Sequence, residues 1–310
     1  MSGRFFLTKL LRAALTLLLA VSFVFVILRL SGDPTDILLP DDASSDTIAY
    51  YRAAWGLDRP IHEQYLLYVW NVLHGDFGVS LRDQRDALQV VLERVPATLE
   101  LGLAALAFAV LFGVPLGIYA ALRRNTAADR LTMGFAVLGY AMPNFFLGIL
   151  LIMLFTMTLQ WLPSSGSATL WHMIMPVLTL GTAAAGTLAR FSRSAMLEVL
   201  SQSYMRTAKA KGAPRLRRIA WHAAPNAAIP IVTVLGFKIG GLISGALVTE
   251  TVFAWPGIGR LLVTAVSSRD LPVVQTVILL VAFTMIATNL IVDLLYGWLD
   301  PRVRGAAKEA

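Results

Sequence analysis

The residues most suggestive of function lie in a basic segment, residues 191–228, between two hydrophobic runs. Helix-forming residues extend from Met196 to Lys211, Gly212 interrupts them, and Pro214 can begin a second helix. An ordinary positively charged loop beside a membrane would need only a few basic residues and a much shorter segment. The pattern therefore predicts a helix–turn–helix outside the lipid whose basic side chains bind a soluble partner.

Three further charged residues stand within hydrophobic runs, where a charge is costly and normally faces protein or water. Glu100 lies near the beginning of one run, Lys238 lies midway along another, and Asp293 lies toward the end of the last. Lys238 and Asp293 can form a structural ion pair or contact another subunit, and Glu100 can extend its carboxylate to the membrane surface. The alternative is that these side chains form a polar wall of a pathway through the membrane.

Catalytic constellations are missing from the sequence. It has no G-x-x-x-x-G-K-[ST] phosphate-binding loop, no H-E-x-x-H zinc motif and no cysteine. The four histidines lack metal-ligand spacing, and they are His62, His74, His172 and His222. We therefore predict no catalytic residue, no bound metal and no cofactor, which disfavours a membrane-embedded enzyme.

The elements that must position these residues are membrane-spanning helices. The chain is 57% hydrophobic and 15% charged, with a mean hydropathy of +0.68, so a soluble fold would expose too much apolar surface. A bilayer core of about 30 Å requires roughly 20 mostly apolar helical residues. Six segments qualify, namely residues 10–30, 97–122, 131–159, 171–190, 229–249 and 274–299. The predicted fold is an all-α membrane protein with six transmembrane helices.

The distribution of positive charge predicts the orientation of these helices. With both termini in the cytoplasm, 17 lysines and arginines lie inside and seven lie outside, which favours an N-in, C-in topology. This orientation explains the net charge of +7 without nucleic-acid binding. The first hydrophobic run continues to Leu28 without a convincing cleavage site before Asp33, so we expect an uncleaved signal anchor.

A large acidic segment, residues 31–96, follows the first predicted span on the extracytoplasmic side. It carries 11 acidic residues against five arginines. Apolar residues at helical spacing predict an amphipathic helix near residues 60–74. This helix would lie on the outer membrane surface or on the protein's own spans, or it would contact an external partner.

A second extracytoplasmic segment, residues 250–272, is too apolar for a solvated loop. Apolar residues at helical spacing after residue 258 predict a short helix that dips toward the bilayer. The rigid turn Trp255-Pro256-Gly257 precedes this helix. Glu250 and the turn are candidates for an outer gate, whereas the alternative is that Trp255 anchors the chain at the membrane interface.

The basic segment resembles the coupling loop of ABC importer permeases of the dipeptide/oligopeptide/nickel family. In that branch the loop reads Y-x-R-T-A-[RK]-A-K-G and then H-A-x-x-N-A-x-x-P, and this sequence matches it at 204–212 and 222–230. The more general motif of such permeases has Glu where this sequence has Arg206, and Ile and Leu where it has His222 and Ala224. Similar stretches cover essentially the whole chain, among them 32–34, 56–60, 75–80, 96–100, 250–260, 269–275 and 300–302.

The resemblance implies the permease subunit of an ATP-driven, binding-protein-dependent importer in the bacterial inner membrane. Its implied partners are a second homologous permease, two ATP-binding subunits and an extracytoplasmic substrate-binding protein. Di- and oligopeptides are the preferred substrates, and nickel, glutathione and other small solutes are the alternatives. The residues that the resemblance assigns to coupling with the ATPase are Tyr204, Arg206, Thr207, Ala208, Ala210, Lys211, Gly212 and Arg215.

The predicted organisation has three parts. Residues 1–96 are an anchor helix with an extracytoplasmic segment, residues 97–304 are the permease core that contains the coupling loop, and residues 305–310 are a cytoplasmic tail. A rival interpretation is a secondary transporter that works alone. It would use Lys238 and Asp293 for ion coupling, but it leaves the cytoplasmic helix–turn–helix without a purpose.

Overall fold

The computed structural model describes residues 3–30, 32, 35, 39, 43–240 and 246–299, and within them the chain is almost entirely helical. Two π-helical stretches, Ile152–Thr158 and Arg218–Ala223, interrupt the α-helices. The α-helices are α1 (Gly3–Leu30), α2 (Ser45–Ala54), α3 (Ile61–Leu73), α4 (Ala87–Leu92), α5 (Val95–Leu122), α6 (Ala127–Ala141), α7 (Asn144–Leu151), α8 (Leu170–Ser201), α9 (Ser203–Ala210), α10 (Arg215–Arg217), α11 (Ala224–Gly240), α12 (Leu247–Val252), α13 (Ile258–Ser267) and α14 (Leu271–Leu299).

Four helical stretches in the described part of the chain are long and apolar enough to cross a membrane, or five if one bent helix pair counts as a span. They are Ala87–Leu122, Leu170–Ser201, Arg215–Ile239 and Leu271–Leu290, and the bent pair is α6 with Asn144–Thr158. A shorter apolar stretch, Leu11–Ile27, lies in α1. The all-α membrane fold is therefore confirmed, while the number of six spans stays a prediction.

The predicted third span, residues 131–159, is wrong as a single helix. Its chain breaks between α6 and α7, and the axes on the two sides of the break differ by 101°. The cause is local, because Pro143 cannot donate a backbone hydrogen bond and Met142 before it takes the extended conformation that proline favours (ψ 125°). Pro115 and Pro176, by contrast, lie inside the continuous helices α5 and α8.

Two compact units make up the chain, and the first comprises Met1–Ala97 with Gly257–Ala310. Within it, Phe25 of α1 is buried against the rings of Tyr65 and Tyr68 of α3, with centroid distances of 5.4 and 5.9 Å. The hydroxyl groups of Ser22 and Tyr65 are 2.7 Å apart and hydrogen-bonded. The amphipathic helix predicted near residues 60–74 is thus confirmed as α3, and it packs on the first predicted span.

A buried carboxylate organises the loop before α14 in the same unit. Asp270 accepts hydrogen bonds from the hydroxyl of Ser80 at 2.5 Å and from the backbone N–H of Leu81 at 3.1 Å. Both contacts satisfy an acid that is otherwise expensive to bury. These hydrogen bonds connect the loop after α3 to the beginning of α14. The short helix predicted after residue 258 is also confirmed, as α13.

The second unit, Thr98–Pro256, is held together by close helix contacts at small residues. A Cβ atom added to Gly113 or Gly117 of α5 would lie 2.5 or 2.3 Å from a backbone oxygen of α8. A Cβ atom added to Gly186 of α8 would lie 2.3 Å from the carbonyl oxygen of Ala136 in α6. Glycine is therefore required where these helices touch.

Candidate functional site

The basic segment forms a short helix, α9, between two breaks. The prediction of one helix from Met196 to Lys211 is wrong, because Gln202 is extended (φ −66°, ψ 151°) and separates α8 from α9. The second break is as predicted, since Gly212 has φ +76°, a conformation that favours glycine. Pro214 then precedes α10, which continues through the π-helical stretch into α11.

Met205 packs α9 against three longer helices. Its side chain is 6% exposed and belongs to a core cluster with Ala121 of α5, Met196 of α8 and Ile231 of α11. An isolated helix of eight residues is not stable in water, so this packing holds α9 in place. Met205 therefore links α9 to α5, α8 and α11.

The other residues that the resemblance assigns to coupling lie at the surface. We define them as the candidate coupling surface. Ala208 is half-buried, and the exposed members are Tyr204, Arg206, Thr207, Ala210, Lys211, Gly212 and Arg215. A Cβ atom added to Gly212 would meet nothing within 4 Å, so the turn is open to the outside. The surface thus presents cations around an accessible glycine turn.

Two large apolar side chains extend this exposed region, and sequence reasoning missed both. Leu216 is 78% exposed and Trp221 is 76% exposed. Exposed apolar groups of this size normally mark an interaction site when they lie together. Both residues belong to the basic segment, but no motif in the sequence distinguishes them from buried apolar residues.

A bidentate ion pair joins α6 and α8 near the candidate coupling surface. Arg193 of α8 donates from Nε and Nη2 to the two carboxylate oxygens of Asp129 in α6, at 2.7 and 2.8 Å. The backbone N–H of Asn125 donates to the same carboxylate at 2.9 Å. The pair therefore fixes the beginning of α6 against α8 about two and a half turns before the Gln202 break. Sequence reasoning also missed this pair.

Two of the candidate outer-gate residues, Glu250 and Trp255, are buried in the second unit. The side chain of Glu250 is fully buried and accepts a hydrogen bond from the hydroxyl of Thr98 at 2.7 Å, which joins the beginning of α5 to α12. The backbone N–H of Trp255 donates to the carbonyl oxygen of Glu250 at 2.8 Å. Trp255 is 2% exposed, so the alternative that it anchors the chain at the membrane interface is wrong.

The turn around Trp255 is strained and enclosed. Ala254 has φ +48°, a left-handed conformation that is unfavourable for alanine. Pro256 is half-buried and Gly257 is buried. The buried ring of Phe253 lies against α7, because a Cβ atom added to Gly148 would be 3.2 Å from it. The segment is therefore packed into protein, as a closed gate would be.

Two of the three predicted intramembrane charges, Glu100 and Lys238, lie in the described part of the chain with their side chains. Glu100 is exposed on the first turns of α5, and Lys238 is half-buried in α11. The side chain of Asp293 lies outside the described residues. A Lys238–Asp293 pair and a pathway role for Glu100 remain predictions. Among the described residues no group of three His, Cys, Asp or Glu side chains could hold a metal ion.

Comparison with protein families matches nearly the whole chain. Residues 113–305 match the model of the binding-protein-dependent transport system inner membrane component. Residues 2–102 match the model of the N-terminal part of such membrane components.

Individual relatives agree with these matches. The chain is 44% identical over 299 residues to the glutathione transport system permease protein GsiC of Salmonella paratyphi A, covering 96% of this chain and 98% of the relative. It is 41% identical to the dipeptide transport system permease protein DppB of Escherichia coli K12, covering 93% of each. A solved structure of the MetNI methionine ABC transporter in an inward-facing conformation is similar in fold, with a TM-score of 0.53, 20% identity and coverage of 66% of this chain and 95% of that one.

Proposed function

This chain belongs to the family of binding-protein-dependent transport system inner membrane components, and we propose that it carries short peptides across the membrane as one half of a translocation pathway. Membership places it in the bacterial inner membrane as a multi-pass permease subunit of an ABC importer, which acts with ATP-binding and substrate-binding proteins. The family that the sequence resembles is thereby confirmed, and the coupling role of the basic segment stays a proposal.

We propose the finer topology from charge and hydropathy. Six spans with both termini in the cytoplasm leave the coupling segment 191–228 on the cytoplasmic side and residues 31–96 outside. The excess of basic residues on the inner side supports this orientation. The division into an N-terminal part, 1–96, a permease core, 97–304, and a tail, 305–310, is part of the same proposal.

The proposed assembly contains a second homologous permease, two ATP-hydrolysing subunits and an extracytoplasmic binding protein. Binding of ATP moves the ATPase subunits, and α9 follows them because the candidate coupling surface is bound to them. Met205 then transmits the movement to α5, α8 and α11 as a rigid-body rotation. The observation that carries this proposal is the exposed basic helix with one buried methionine in the core of three long helices.

Short peptides are the proposed substrates because the similar permeases named above serve glutathione, a tripeptide, and dipeptides. The buried Glu250–Trp255 group is the proposed outer gate, which would open when the binding protein releases its substrate. Lys238, Asp293 and Glu100 are proposed as pathway or structural charges. Nickel and other small solutes remain the alternative cargo.

Uptake by cells that express this permease with its partner subunits tests the proposal. We expect ATP depletion to stop uptake of a labelled dipeptide, unlabelled di- and tripeptides to compete, and nickel to have no effect. Uptake that is abolished by an uncoupler but indifferent to ATP depletion would instead establish the stand-alone secondary transporter.

A further inference from the structure

A polar cleft of about 300 Å³ lies between α6 and α8 in the second unit. Its lining residues are Tyr140, Thr187, Arg190, Phe191 and Ser194. The four residues from α8 follow the i, i+3, i+4, i+7 spacing of one helix face. The cleft thus places one arginine and three hydroxyl groups on the wall of a membrane-spanning helix pair.

The cleft is rich in hydrogen-bond donors and none of its five lining residues is acidic. The guanidinium carbon of Arg190 lies 5.9 Å from the ring centroid of Tyr140. In the described part of the chain Arg190 has no ion-pair partner, whereas Arg193, almost one turn further on, takes both carboxylate oxygens of Asp129. The hydroxyl of Thr187 already donates to Ala183 at 3.0 Å. The guanidinium is therefore the group that remains to bind an anion.

The position of the cation distinguishes between possible anions. Tyr140 stands nine residues beyond the predicted cytoplasmic beginning of its span, which corresponds to about 14 Å of helix, or nearly half of the hydrocarbon core. Arg190 points to this ring, away from the level of the lipid headgroups. Arg190 itself ends the predicted span 171–190, where an arginine normally extends to the headgroups, but its guanidinium is directed over the deeper Tyr140 ring instead. A carboxylate that moves along the pathway reaches this ring, while a headgroup phosphate stays at the surface.

We propose that this cleft is a binding station for the carboxylate of a transported peptide, with Arg190 as the anion-binding residue and Tyr140 as the ring that positions it. The inference rests on the proposed function, since it needs a substrate that carries a carboxylate. Arginine suits this role because its planar fork of N–H groups matches a carboxylate, and charge-assisted hydrogen bonds are the strong ones.

The test uses the complete importer in proteoliposomes, with peptide-loaded binding protein at saturation so that delivery does not limit the rate. We expect Arg190→Gln to lower dipeptide uptake about tenfold or more, Arg190→Glu to lower it further, and Arg190→Lys to restore most of it. Arg123→Gln is the matched control, because the Arg123 guanidinium also lies over a tyrosine ring, that of Tyr119, at 5.7 Å. It should leave uptake unchanged.

Two lipid compositions distinguish a substrate carboxylate from a lipid headgroup as the anion that the cleft binds. The order of the dipeptide uptake rates of wild type and the Arg190 variants should be the same in vesicles of phosphatidylcholine alone and in vesicles with added phosphatidylglycerol. Equal rates for Arg190→Gln and wild type in either composition overturn the proposal, and a defect confined to the anionic vesicles assigns the cleft to a lipid headgroup instead. If the wild type fails to transport the dipeptide, the proposed function is wrong. If it transports the dipeptide but the charge series has no effect, only this inference is wrong.

Discussion

Replacing Met205 with alanine tests how α9 is connected to the membrane-spanning helices. The side chain is 6% exposed and packs in a cluster that joins α5, α8 and α11. Truncation of a buried methionine to alanine costs about 2–5 kcal/mol, since the apolar contacts are lost and a cavity remains. Even the lower figure reduces the equilibrium constant for docking of α9 about 30-fold. Because α9 has only eight residues, its own helical stability cannot compensate.

The assay compares peptide uptake with ATP hydrolysis in the reconstituted importer. We expect Met205→Ala to lower the number of peptides transported per ATP hydrolysed and to accelerate tryptic cleavage at Arg206 and Lys209, as local unfolding of α9 would. Met205→Leu conserves the volume of the side chain and should cost less than about 1.5 kcal/mol. Met157→Ala is the matched control, because that methionine is exposed. Unchanged coupling together with unchanged tryptic protection in Met205→Ala would refute the reasoning.

Three further substitutions test contacts elsewhere in the second unit. Asp129→Asn leaves the partly buried Arg193 without its counter-ion, so we expect thermal stability in detergent to fall by about 3 kcal/mol, and uptake to fall with it. Thr98→Val keeps the shape of the side chain but removes the hydrogen bond to the buried Glu250, and we expect a loss of about 1–3 kcal/mol in the same assay. Ala254→Gly relieves a left-handed alanine and should stabilise the protein by about 1 kcal/mol.

Two of these substitutions, Asp129→Asn and Ala254→Gly, have a control in the chain. Glu93→Gln breaks an ion pair with Arg85 that is exposed to solvent, so it should leave thermal stability nearly unchanged. Ala104→Gly replaces an alanine inside α5, so it should destabilise where Ala254→Gly stabilises. The ion pair of Asp129 is contradicted if Asp129→Asn and Glu93→Gln have equal effects on stability. The hydrogen bond of Thr98 is contradicted if Thr98→Val causes no loss, and the strain at Ala254 is contradicted if Ala254→Gly destabilises the protein.

Local features of this fold were predictable from the sequence. The periodicity of apolar residues in 60–74 predicted α3, and a glycine followed by proline predicted the turn at Gly212 with its positive φ. Both depend on interactions within a few residues, where spacing and backbone preference decide the conformation. A kink at Pro143 was foreseeable, but its angle of 101° was not, because a proline breaks a helix without determining the angle between the two parts.

The contacts that organise the site could not be predicted, because they join distant parts of the chain. The ion pair of Asp129 with Arg193 spans 64 residues, and the hydrogen bond of Thr98 with Glu250 spans 152. No glycine or proline marks the break at Gln202 in the sequence. Tertiary packing decides it, since α9 must turn away from α8 for Met205 to enter the core cluster. Helix propensity alone favours one continuous helix there.

Affinity purification of the tagged permease from mild detergent tests the central claim, that this chain couples to ATPase subunits through the Gly212 turn. Wild type should carry ATP-binding subunits and a second permease, and Gly212→Glu should insert but lose the ATP-binding subunits and all transport. A side chain at this φ costs about 1 kcal/mol or more, and the acidic group alters a basic surface. Gly75→Glu is the matched control, since Gly75 has φ +81° and an equally open Cβ position on the other predicted side of the membrane. It should retain all partners. A permease that purifies alone as wild type, or a Gly212→Glu variant that keeps its ATP-binding subunits and transports normally, would contradict the account.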